Sequence, residues 1–105
     1  MQSHYAPWTP FILLEENLAE FLEKLRSYQS VFQKKEIAWP RIGLLLFSKA
    51  PQTNLIETVE ILSAKGDLHE AASNLFQVMR KLDKMHLDLM VAESMPEKGV
   101  GYAIM

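Results

Sequence analysis

A chain of 105 residues, 49% apolar and 23% charged, has room for one hydrophobic core and not for two. Its net charge of −2 argues against a nucleic-acid or anionic-membrane partner held by bulk electrostatics. The lack of cysteine excludes disulfides, thiolate nucleophiles and cysteine-bound zinc, and it fits a reducing cytoplasm.

Met1–Pro10 reads as a linker, with Pro7 and Pro10 close together and no hydrophobic period. Phe11–Leu14 is a continuous apolar run, the pattern of a strand buried on both faces. Asn17-Leu18-Ala19-Glu20 has the form of a capping box. Behind it Leu18, Phe21, Leu22, Leu25, Tyr28 and Phe32 make one apolar stripe at helical spacing. That helix is expected to end near Lys34-Lys35, where cations suit its negative pole. Ile42–Phe47 is the clearest strand, and six residues are far too few to cross a membrane. Leu55–Leu62 reads as a strand with one wetter face, nearer a sheet edge.

Asp67-Leu68-His69-Glu70 forms a second capping-box pattern. The helix after it carries Leu68, Ala71, Ala72, Leu75, Phe76, Met79 and Leu82 on one face. Leu87–Glu93 is a last strand, and a Pro- and Gly-containing loop follows. The order is β-α-β-β-α-β. Apolar strands between amphipathic helices point to a small three-layer, Rossmann-like α/β domain with a mainly parallel sheet. A split β-α-β arrangement with both helices on one face is the alternative, because the two middle strands have no helix between them.

Chemistry-bearing residues are few. His4, His69 and His86 are far apart, and none pairs with a carboxylate at metal-ligand spacing, so no metal site is expected. Glu15-Glu16 and Glu20/Glu23 lie in or near a helix's first turns, where negative charge is favourable without any catalytic duty. No nucleophile set and no phosphate-binding P-loop is found. Gly99 and Gly101 are a candidate anion- or nucleotide-binding turn after a strand, although Ile104 stands where a dinucleotide fingerprint has its third glycine.

Two stretches carry a family likeness. His4-Tyr5-Ala6-Pro7, followed by Thr9-Pro10, resembles the interdomain linker of Sua5-type threonylcarbamoyl-AMP synthases. Glu70-Ala71-Ala72-Ser73-Asn74-Leu75-Phe76, continuing through Met79-Arg80-Lys81-Leu82-Asp83, resembles a helix of that family's C-terminal domain. Ala92-Glu93 and Gly99-Val100-Gly101-Tyr102-Ala103-Ile104-Met105 match the strand and glycine turn near its end. Leu18–Leu62 agrees in pattern only.

The resemblance implies a linker over residues 1–10 and an accessory domain over 11–105, cut short of a basic helix with which the family continues. It implies no catalytic residue in this chain and a YrdC-like catalytic domain earlier in the same polypeptide. That parent would use ATP with magnesium, threonine and bicarbonate to make threonylcarbamoyl-adenylate, the intermediate for N6-threonylcarbamoyladenosine in tRNA. His4, Tyr5, Ala6 and Pro7 would lie as a lid over the catalytic pocket and limit hydrolysis of a labile intermediate. No direct nucleic-acid or membrane contact is expected. Two rivals stand beside this reading: an independent nucleotide- or small-ligand-binding module using Gly99 and Gly101, and a structural dimerisation domain.

Overall fold

The computed structural model of the chain describes residues 8–94. Within them four strands and two helices follow in the expected order. They are β1 (Phe11–Leu14), α1 (Leu18–Lys34), β2 (Ile42–Leu46), β3 (Thr58–Ile61), α2 (Leu68–Asp83) and β4 (Leu89–Glu93). The sheet is parallel throughout, in the order β1-β4-β2-β3.

Side-chain alternation sorts the interior into two layers. Ile42, Leu44, Leu46 and Val91 meet Leu22 and Leu25 of α1. Leu45, Met90 and Ala92 meet Ala71, Met79 and Leu82 of α2. Strand residues one position apart point to opposite faces, so every residue of β2 is buried and the two helices cover different sides. This gives three layers, Rossmann-like, and excludes the split arrangement with both helices on one face.

The handedness of crossovers explains the division. The steps β1 to β2 and β2 to β3 run one way across the sheet, and β3 to β4 runs back. Right-handed connections then put the first two on one face and the last on the other. The β2–β3 connection contains no helix, yet Leu55 within it is buried in the α1-side layer. The indole N–H of Trp39 donates to the Leu55 carbonyl at 2.8 Å, and Trp39 stands edge-on to Phe32 of α1. One aromatic residue thus ties this irregular crossover to the helix beside it.

Four expectations are corrected. β1 is an edge strand and not a strand buried on both faces: Phe11, Ile12 and Leu13 are between 40% and 45% exposed, and only Leu14 is buried. β3 is shorter than Leu55–Leu62, because residues 55–57 complete the crossover. Tyr28 and Phe76, placed on the apolar stripes, are exposed, since each helix buries a narrower face than its full stripe. The second capping box is not reciprocal. Asp67 accepts from the His69 N–H, while the Glu70 carboxylate accepts from the Ser63 hydroxyl at 2.6 Å. At the first box, Asn17 does accept from the Glu20 N–H.

Candidate functional site

The six residues singled out by sequence, His4, Tyr5, Ala6, Pro7, Gly99 and Gly101, lie outside the described residues. What can be built is the place where the N-terminal segment joins the domain. Trp8, Thr9 and Pro10 approach β1 past the end of α2, close to His86 and Leu87. Asp83, the last residue of α2, receives them. Its Oδ2 accepts from the Trp8 N–H at 3.0 Å, and its Oδ1 accepts from both the Thr9 N–H at 2.9 Å and the Thr9 hydroxyl at 2.7 Å. The Pro10 carbonyl accepts from the Met90 N–H at 2.8 Å. Thr9 is 6% exposed, whereas the Trp8 side chain, 95% exposed, projects from the surface.

The turn beyond α2 is held from the other side. His86 is left-handed at φ 56° and exposed. The Arg41 guanidinium donates to the Met85 and His86 carbonyls and to Glu57, and the Arg41 N–H donates to Asp88. His69 is exposed in the first turn of α2, where its N–H serves the Asp67 cap. The two described histidines are therefore on different ends of α2.

A second feature is an open apolar hollow of about 430 Å³ between β1 and α1. Ile12, Leu13, Leu14, Phe21, Leu25 and Tyr28 line it, with Glu15, Glu16 and Lys24 at the rim. Lys24 pairs with Glu16 at 2.9 Å, and this hydrogen bond and charge raise the ammonium pKa above its ordinary value.

At the carboxyl ends of the strands, the usual ligand side of a parallel sheet, the polar groups bond one another. Ser63 bridges Glu70 and the Asp67 N–H, Glu93 accepts from the Phe47 N–H, and Ser94 donates to the Leu14 carbonyl. Among the described residues no buried side-chain polar atom lacks a partner, and no three His, Asp or Glu side chains converge to hold a metal ion. Nor is any described helix long and apolar enough to cross a membrane. The Thr9–Asp83 contact, joining positions so distant in sequence, has no local pattern that could have revealed it.

Comparison with known proteins places this geometry. Residues 1–105 match the family described as threonylcarbamoyl-AMP synthase, C-terminal domain. The chain is 27% identical to the threonylcarbamoyl-AMP synthase of Bacillus subtilis (strain 168) over 98% of its own length, but spans only 28% of that protein. It superposes on the crystal structure of Pyrococcus abyssi Sua5 complexed with L-threonine with a TM-score of 0.68 at 26% identity, covering 97% of this chain and 27% of the other. The crystallised C-terminal Sua5 domain from Pyrococcus horikoshii, at 24% identity and a TM-score of 0.60, shares the fold over 95% of this chain and 89% of its own.

Proposed function

This chain belongs to the family of threonylcarbamoyl-AMP synthase C-terminal domains, and from that premise we propose that it is the accessory domain of such a synthase, inactive by itself. The observation that carries the reading is the family match along the whole chain, together with the small share of the relatives that it spans. The remaining length of the relatives is where a YrdC-like catalytic domain would stand, with its ATP, magnesium, threonine and bicarbonate. The product would be threonylcarbamoyl-adenylate, used for N6-threonylcarbamoyladenosine in tRNA, in the cytoplasm.

Residues 1–10 act in this reading as the interdomain linker, and 11–105 as the accessory domain. His4, Tyr5, Ala6 and Pro7 form a lid on the catalytic pocket. Pro7 and Pro10 restrict the backbone, and Tyr5 supplies a broad ring with a polar tip. A covered pocket excludes water from a labile mixed anhydride, and in this way the segment can raise the yield of product. The domain's polar groups at the strand ends are engaged with one another, which suits a role in placing a segment rather than in reacting.

The test is Tyr5→Ala in the full-length polypeptide, read as threonylcarbamoyl-adenylate formed per ATP consumed. A fall in that ratio is expected. An unchanged ratio removes the lid, and synthase activity or tight nucleotide binding by the 105-residue chain alone removes the accessory role.

A further inference from the structure

We infer that Asp83 is a positioning residue, a carboxylate clamp that fixes the direction in which the N-terminal segment leaves the domain. The functional half of this inference rests on the lid reading; the structural half does not.

The contacts are more than strand pairing needs. Parallel pairing of β1 with β4 begins at Phe11 and Met90. The Pro10 carbonyl, accepting from the Met90 N–H, is the first rung of that pairing, and ahead of it two further residues, Trp8 and Thr9, are held by their N–H groups to Asp83. Thr9 adds its hydroxyl to the same carboxylate. Hydrogen bonds to an ionised acceptor are stronger than neutral ones; the two from Thr9 are partly buried, while that from Trp8 is exposed.

Helix electrostatics give a second, independent argument. Asp83 closes α2 at its C-terminal end, where the macrodipole disfavours negative charge. Arg80 and Lys81 in the same turn follow the usual preference, and Asp83 opposes it. A carboxylate set against the dipole has to be stabilised by other groups, and the three donors of Trp8 and Thr9 are among those that do so. The clamp also brings together the two family-like segments, Thr9-Pro10 and Leu82-Asp83, from opposite ends of the chain. Its outcome is a fixed exit for the backbone: Thr9 is held inward, and the Trp8 ring lies in solvent.

The experiment uses the full-length polypeptide carrying Asp83→Ala, Thr9→Val or Tyr5→Ala. Hydrogen exchange at Trp8 and Thr9 is expected to quicken at least tenfold in Asp83→Ala and less in Thr9→Val, which keeps both amide bonds. The Val91 amide, in the sheet centre, should keep its protection. Unchanged exchange at Trp8 and Thr9, or an equal rise at Val91, would overturn the clamp, the latter by reducing it to general destabilisation. For function, Asp83→Ala should lower product formed per ATP consumed, and the Tyr5→Ala/Asp83→Ala double variant should lose no more than Tyr5→Ala alone. Additive losses would overturn action through the linker. If Tyr5→Ala has no effect, the lid reading fails, while exchange at Trp8 and Thr9 still decides the clamp.

Discussion

Replacing Trp39 by Phe removes the indole N–H that reaches the Leu55 carbonyl and leaves a ring to face Phe32. The lost hydrogen bond is worth about 0.5–1.5 kcal/mol net. Losing part of the ring from a half-buried site adds about 1 kcal/mol by the usual apolar scale. The expected loss is therefore about 2 kcal/mol, or roughly a 10 °C fall in Tm for a domain of this size. Urea unfolding followed by far-ultraviolet circular dichroism is the assay, since tryptophan fluorescence changes with the substitution itself. Trp8→Phe serves as the control; its side chain is 95% exposed, and it should shift stability by no more than about 0.5 kcal/mol. Equal effects of the two substitutions would refute the reasoning that Trp39 secures the irregular crossover.

Two further outcomes follow from close contacts. At Gly43, an added methyl would stand 2.6 Å from Leu87 Cδ1, with Thr58 and Leu82 also near, so Gly43→Ala should cost about 1–3 kcal/mol in urea unfolding. The loss should shrink in a Leu87→Ala background, and an unaltered penalty there would contradict the proposed clash. Lys24 should titrate above 10.5, and Glu16→Gln should return it toward that value in an NMR titration. Because the folded-state pKa is raised, any contribution of the pair to stability is present below 10.5 and fades as pH rises through the folded value. Both groups are solvent-accessible, so added salt should weaken it as well.

The element order was legible because hydrophobic period and helix starts are local properties. Strand position was not. Phe11–Leu14 has the same unbroken apolar run as Ile42–Leu46, but one lies at an edge and the other is covered on both faces. That difference follows from the strand order, in which β1 pairs only with β4 whereas β2 lies between β4 and β3, a choice made across the whole chain. The edge position of the third strand was legible, since Thr58 and Glu60 alternate with Val59 and Ile61 and β3 is at an edge, although all four residues are alike half-buried. Glu70 illustrates the opposite case: its spacing from Asp67 satisfies a capping pattern, and the nearby Ser63 hydroxyl captures its carboxylate instead. At the candidate site, family likeness singled out Thr9-Pro10 and Leu82-Asp83 separately, but only the folded geometry joins them.

The strand order also has a consequence for the timing of synthesis. Of the described strands β4 is the last to leave the ribosome, yet it occupies an interior place and is the neighbour of β1. Until Leu89–Glu93 has emerged, β1 has no partner strand, and the acidic anchor for Thr9 has only just been made. Pairing Phe11 with Met90 closes a very long loop, a step that slows folding and leaves apolar strand surface bare in the meantime. A nascent chain interrupted before β4 would therefore leave Trp8–Pro10 unmoored, so that the placement of these residues reports that β4 has been made.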